Sequence, residues 1–190
     1  MEREIIFITG GARSGKTSFA EKYSESLVNE TGINLYYLAT SKAEDKEMNA
    51  RIKRHQKDRE NSHAKWQTIE QAVEIGKISN QITRNSIVLV DCITLLLSNE
   101  LYKEDFRKEL YKKESYQKQV KNRIIKGLLE ISLKTSYLFI VSNEVLYDSL
   151  QSDNQVIKIY QRLLGEIHKE LVSHADEAYL LESGIVIQKK

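Results

Sequence analysis

Gly10-Gly11-Ala12-Arg13-Ser14-Gly15-Lys16-Thr17 matches the pattern G-x-x-x-x-G-K-[ST] in full. Each residue type has its own reason to be there. Glycines let backbone N–H groups curl around a phosphate without a Cβ in the way. A helix that starts at the loop points its unpaired N–H groups and positive dipole end at the anion. A lysine at position 16 reaches the β- and γ-phosphates of a nucleotide, and a hydroxyl at position 17 ligates Mg²⁺. The apolar run Glu4–Thr9 before the loop predicts a buried strand, and Gly15–Asn29 after it predicts a helix.

Working outward, Leu35–Ala39, Ser86–Val90 and Tyr137–Val141 read as further buried strands. Helices are expected over Lys42–Arg59, Ile69–Ile78, Cys92–Leu101, Asp105–Leu133 (with an interruption allowed) and Asn154–Val172. Glu177–Leu181 and Ile185–Gln188 flank Ser183-Gly184 and predict a terminal hairpin. Apolar strands alternating with helices imply a mostly parallel sheet covered on both faces. Ligands of such sheets bind at the carboxyl ends of the strands. Thr9, Gly10, Thr40, Asp91 and Asn143 are therefore expected along one rim. Asp91 ends its strand where a second acidic group would hold Mg²⁺ through water. The same residue would also serve as an N-cap for the following helix.

Composition narrows the function classes. The 190 residues fit a single domain spanning 1–190, and 41% hydrophobic with 29% charged residues predicts a folded chain. A net charge of +2 gives no reason to expect a nucleic-acid partner. The charged stretch Lys103–Lys126 reads as a solvated amphipathic helix. No apolar run reaches the ~18 residues of a membrane span. One cysteine, Cys92, excludes a disulfide framework and makes the cytoplasm the expected location. The chain has no proline, where average usage of about 5% predicts roughly nine.

Histidines occur at 55, 63, 168 and 174. His55 has Arg51 four residues before it and Arg59 four after, one stripe of a helix, with Arg54 adjacent. Cations so placed disfavour the imidazolium, leave a neutral nucleophilic nitrogen and bind phosphate oxygens. On spacing alone, a solvated basic helix face is the favoured reading. His63 is expected in a polar loop, and His168 and His174 on the surface of the late helix.

Taken together, these segments resemble the adenosylcobinamide kinase / adenosylcobinamide-phosphate guanylyltransferases of cobalamin synthesis. The resemblance spans nearly the whole chain. It rests on Ile8 to Lys16, Tyr37-Leu38-Ala39-Thr40-Ser41, the series Glu47-Met48, Arg51-Ile52, His55 and Arg59, and the W-x-T-x-E pattern of Trp66, Thr68 and Glu70. Val90-Asp91-Cys92-Ile93-Thr94, Asn99, Asn143-Glu144-Val145, Ala175-Asp176 and Ser183-Gly184 complete it.

The fold this implies is α/β, a P-loop NTPase (RecA-like) domain with helices on both faces of a mostly parallel sheet and a C-terminal antiparallel hairpin. Two reactions are implied. A nucleoside triphosphate, GTP or ATP, phosphorylates the hydroxyl of adenosylcobinamide's aminopropanol arm. A histidine then attacks the α-phosphate of GTP, and the resulting GMP–histidine passes GMP to the phosphorylated corrinoid. His55 matches that histidine, and Lys16 is the second catalytic residue. The nucleotide-binding set implied is Gly10, Gly11, Ala12, Arg13, Ser14, Gly15, Lys16, Thr17, Ala39, Thr40, Ser41, Arg51, Gln56, Lys57, Asp58, Arg59, Glu70 and Asp91. Thr17 and Asp91 are the expected Mg²⁺ ligands. A homo-oligomer, such as a trimer, is the expected assembly.

The sequence departs from the family's usual pattern in one region. A Gly-rich stretch with G-I-V-P is replaced by Leu146 to Asp153, without glycine or proline. A later R-D-x-x-G-x-x-N-Q keeps only Arg162 and Gly165. A member with altered kinase or acceptor specificity, a P-loop small-molecule kinase of another pathway, and a non-catalytic nucleotide-gated interaction protein are the alternatives.

Overall fold

The computed structural model describes residues 3–31, 33–42, 64–103, 108–144 and 155–190. Its centre is a seven-stranded sheet made of β1 (Glu4–Gly10), β2 (Asn34–Ala39), β3 (Trp66–Glu70), β4 (Ser86–Asp91), β5 (Tyr137–Val141), β6 (Glu177–Glu182) and β7 (Ile185–Gln188). The spatial order is β3-β2-β4-β5-β1-β6-β7. All neighbours run parallel except β6 and β7, which form an antiparallel hairpin. The expected α/β architecture is thus present, including the hairpin. Ala175-Asp176 has a structural job here. Ile5 N–H donates to the Asp176 carboxylate at 2.8 Å, and Asp176 N–H donates back to Ile5 O at 2.8 Å, which seats β6 beside β1.

Period-two alternation sorts the strand residues between two cores. Ile5, Phe7, Tyr36, Leu38, Val88, Val90, Leu138 and Ile140 face one side. There they meet helices α2 (Ile93–Leu101), α3 (Glu114–Ser132) and α4 (Gln155–His174). Ile6, Ile8, Leu35, Tyr37, Ile87, Leu89, Phe139 and Val141 face the other side, against Ala20, Phe19 and Tyr23 of α1 (Lys16–Thr31). Strands buried on both faces read as continuous apolar runs, which is why the central four were visible in the sequence. Glu100, on α2, is fully buried yet charged. Arg123 of α3 donates to it at 2.6 Å and the backbone N–H of Glu74 at 2.5 Å, so one carboxylate ties three segments together.

Two expectations are corrected. Ile69–Ile78 is not a helix. Trp66–Glu70 is an edge strand paired to β2, and a short 3-10 turn follows at Ile75–Asn80. β3 is largely solvated, so its apolar alternation is weak, while Ile75 and Ile78 supply an i, i+3 pair that mimics a longer helix. The helix expected from Asp105 starts only at Glu114. A 3-10 turn at Leu110–Lys112, entered through left-handed Glu109 (φ 48°), precedes it. On α3 the apolar positions Val120, Ile124, Leu128 and Ile131 are buried, so the amphipathic reading of this region holds. Lys42–Arg59, apart from Lys42, lies outside the described residues, as do His63 and 145–154.

Candidate active site

Register places the strand ends side by side. Ala39 pairs with both Glu70 and Asp91, Asp91 with Val141, Val141 with Ile8, and Gly10 with Leu181. The rim expected from the sequence is therefore real, and Glu70, Ala39, Thr40, Asp91, Asn143 and the phosphate loop all lie on it.

The loop itself turns at Ser14 N–H to Gly11 O (3.3 Å) and enters α1 with Phe19 N–H to Gly15 O (2.9 Å). Gly15 (φ 94°) and Arg13 (φ 60°) adopt left-handed backbone. Gly10 is glycine for a different reason than cradling an anion. A Cβ there would lie 2.1 Å from the Leu181 carbonyl oxygen of β6. Lys16 is buried, with its ammonium donating to Gly11 O at 2.5 Å and to Ser14 Oγ at 3.3 Å. A cation at the mouth of a helix N-terminus concentrates positive potential where a phosphate would sit.

Parity brings Asp91 to the loop. It continues the Ile87–Leu89 face of β4, the face covered by α1, so it meets the first turn of that helix. Thr17 Oγ1 donates to Asp91 Oδ2 at 3.2 Å, and Tyr37 OH donates to the same oxygen at 2.5 Å. Two adjacent hard oxygens fit the donor preference of Mg²⁺, which Thr17 and Asp91 would hold. Asp91 does not cap α2. The residue at that cap is Cys92, without a side-chain capping bond. Tyr37 was not singled out as a site residue, although its place on the same strand face as Ala39 was a usable signal.

Thr40 locks the neighbouring turn. It is fully buried, its N–H reaches Asp91 O at 3.1 Å, and its hydroxyl bonds both Cys92 O and Cys92 N at 2.8 Å. Asn99 Nδ2 holds Thr40 O at 2.8 Å. Through these contacts Thr40 fixes the backbone that follows Asp91. Trp66 Nε1 donates to Glu25 Oε1 at 2.9 Å and stacks edge-on against Tyr37, anchoring β3 to α1 and to the Asp91 cluster. Ser41 and Glu70 lie at the far side of the rim, and Ala12 and Gly11 are exposed in the loop. Arg51, His55, Gln56, Lys57, Asp58 and Arg59 lie outside the described residues.

His168 corrects an expectation of surface placement. Its Nε2 is 2.7 Å from Ser142 Oγ, and its ring packs edge-on against Phe7 at 5.2 Å between centroids. Burial lowers its pKa to about 4. The folded state then binds fewer protons than the unfolded state between that value and the ordinary 6.5. Stability from the neutral ring is full above pH 6.5 and is lost as pH falls towards 4. Chemical denaturation at pH 7 and pH 5 is expected to show roughly 1–2 kcal/mol of this loss in the wild type and a flatter response in His168→Gln. Parallel curves for the two would contradict the assignment. His174 is exposed, as expected.

Fold and rim together define an α/β domain of the P-loop class. A solved structure of an ATPase domain superimposes with a TM-score of 0.51 over 95% of this chain and 69% of that one, at 15% identity, a likeness of fold alone. The sequence is more specific. Residues 6–189 match the cobinamide kinase / cobinamide phosphate guanyltransferase family, and the chain belongs to that family. The bifunctional adenosylcobalamin biosynthesis protein CobU of Escherichia coli K12 is 27% identical over 98% of this chain and 99% of its own length. The Salmonella typhimurium protein of the same name is 28% identical with the same coverage. CobP of Pseudomonas aeruginosa is 38% identical over 52% of this chain and 53% of its own.

Proposed function

We propose that this chain is a bifunctional enzyme of one catalytic domain, which first phosphorylates adenosylcobinamide and then guanylylates the product. The observation carrying the reading is that Thr17 bonds Asp91 beside a buried Lys16, in a chain of this family. In the first reaction the loop N–H groups and Lys16 hold the β- and γ-phosphates of GTP or ATP. Thr17 and Asp91 hold Mg²⁺, which when bound offsets phosphate charge. The acceptor hydroxyl attacks the γ-phosphorus, and the bond to the bridging oxygen breaks to release the nucleoside diphosphate.

In the second reaction His55 attacks the α-phosphorus of GTP and pyrophosphate leaves. A phosphoramidate intermediate splits one displacement into two easier ones. Arg51 and Arg59, one helical turn either side of His55 in the sequence pattern, stabilise the charge that develops on the phosphate. Ala39, Thr40, Ser41, Gln56, Lys57, Asp58 and Glu70 complete the nucleotide contacts, a carboxylate being suited to accept from guanine N1–H and N2–H₂. No described helix is long and apolar enough to cross a membrane. A cytoplasmic homo-oligomer is the assembly we propose.

Asp91→Asn keeps the shape and removes the charge. The phosphoryl-transfer rate is expected to fall on the order of 10²-fold, with saturation shifted to higher free Mg²⁺. A titration of rate against free Mg²⁺ checks this, and an unshifted curve would remove Asp91 from the metal site. A second reading, a member with altered acceptor handling, is favoured by the replacement of the family's Gly- and Pro-containing segment by Leu146 to Asp153. The deciding experiment supplies GTP, Mg²⁺ and either adenosylcobinamide or its phosphate, and follows products by chromatography and mass. Conversion of both supports the bifunctional reading. Conversion of the phosphate alone supports the second.

A further inference from the structure

β5 is the strand between the phosphate-loop strand β1 and the Asp91 strand β4. Its register is tight on both sides, Ile8↔Val141 and Asp91↔Val141. Beyond Val141 the chain stays alongside β1, since Ser142 N–H donates to Ile8 O and Glu144 N–H to Gly10 O, each at 2.9 Å. Asn143 lies between these two bonds, directly beside the entrance to the phosphate loop. Across the rim its Nδ2 donates to Thr94 Oγ1 at 3.1 Å, with Cys92 Sγ 3.9 Å away.

That donation is well supported. Thr94 is buried, its hydroxyl sits 2.8 Å from Cys92 Sγ, and its carbonyl accepts Tyr160 OH of α4 at 2.8 Å. The amide of Asn143 is thereby oriented by a rigid neighbour. Its Oδ1 accepts no hydrogen bond among the described residues, and the side chain is only half-buried. A polar group this fixed, between the two halves of a nucleotide-phosphate site and with an acceptor atom to spare, has a specific use. The attacking hydroxyl of a phosphoryl acceptor has to be held in line, with its proton pointed away from the phosphorus.

We propose that Asn143 receives the acceptor hydroxyl during phosphoryl transfer, with Thr94 as the residue that positions its amide. The inference rests on the kinase half of the proposed function. Asn143 Oδ1 accepts the hydrogen bond of the cobinamide hydroxyl. The new O–P bond forms to the γ-phosphorus as the bond from phosphorus to the β–γ bridging oxygen breaks. The nucleoside diphosphate leaves with that electron pair, and the hydroxyl proton departs to solvent through a phosphoryl oxygen of the product. A neutral amide is sufficient for this, because a loose transition state needs positioning more than proton removal.

The test uses the full-length protein with Mg²⁺, ATP or GTP and adenosylcobinamide. Asn143→Ala is expected to lower kcat for phosphoryl transfer on the order of 10²-fold, while nucleotide affinity, read by a fluorescent analogue, stays within about twofold. Thr94→Val is expected to lose about tenfold in kcat, and Thr94→Ser, which keeps the hydroxyl, to recover most of it. An active wild type matched by Asn143→Ala overturns this inference alone, as does a loss of nucleotide affinity parallel to the loss of kcat. Thr94→Ser as impaired as Thr94→Val also overturns it. A wild type that transfers no γ-phosphoryl group overturns both this inference and the kinase reading.

Discussion

Lys16→Ala is expected to reduce γ-phosphoryl transfer to adenosylcobinamide on the order of 10³-fold. The reason lies in where the ammonium sits. Lys16 is only 5% exposed, at the first turn of α1, and donates to Gly11 O and Ser14 Oγ within its own loop. Its charge acts in a shielded place, where each ångström counts for more than in water. Alanine keeps the helix start, since Phe19 N–H still reaches Gly15 O, and the loop backbone can still accept a phosphate. The charge that grows on the β–γ bridging oxygen as the bond breaks would have lost the Lys16 cation. The loss should therefore fall on kcat more than on nucleotide affinity. Steady-state kinetics with adenosylcobinamide checks this, and a variant within tenfold of wild type would remove the loop from catalysis.

His55→Ala is expected to have the complementary effect. GMP transfer should fall at least 10³-fold, and adenosylcobinamide phosphate should accumulate when GTP, Mg²⁺ and adenosylcobinamide are supplied together. Alanine has no nucleophilic nitrogen, and water would have to replace a covalent route. Opposite patterns in the two variants would assign the two chemistries to two separate groups. If His55→Ala still yields the guanylylated corrinoid at the wild-type rate, transfer is direct and the covalent route is wrong.

The fold was legible where burial was complete. β1, β4 and β5 carry unbroken apolar runs because helices cover both their faces, and their bounds differ from the expected ones by at most one residue at either end. β3 was misread because an edge strand is half-solvated and its Trp66, Thr68 and Ile69 lack the apolar continuity of the centre. The break before α3 depends on a left-handed Glu109, a conformation that glutamate does not advertise. Near the phosphate loop, the places of Lys16, Thr17 and Asp91 were legible because the loop pattern fixes the first two and the end of an apolar run fixes the third. Tyr37, Thr94 and His168 were not, because their roles are set by contacts between residues 26 to 161 positions apart in the chain. Gly10 looked like part of an anion cradle, but the Leu181 carbonyl alone already requires a glycine there.

The absence of proline also has a local meaning. In the sequence, the family's usual proline would fall within 150–154, between Asn143 and the start of α4, whose Tyr160 braces Thr94. That stretch of sequence is where a change in acceptor handling is to be sought. The phosphate-loop side carries the full G-x-x-x-x-G-K-[ST] pattern and Asp91.

The central claim is that one chain carries a phosphate-loop kinase site and a histidine that becomes covalently guanylylated. The most direct test incubates the wild-type protein with Mg²⁺ and GTP labelled at the α-phosphate, denatures it, and maps the labelled peptide by mass spectrometry. The account predicts an acid-labile, alkali-stable adduct of GMP mass on the peptide containing His55, and none in His55→Ala. No adduct in the wild type, or an adduct on another residue, would contradict it.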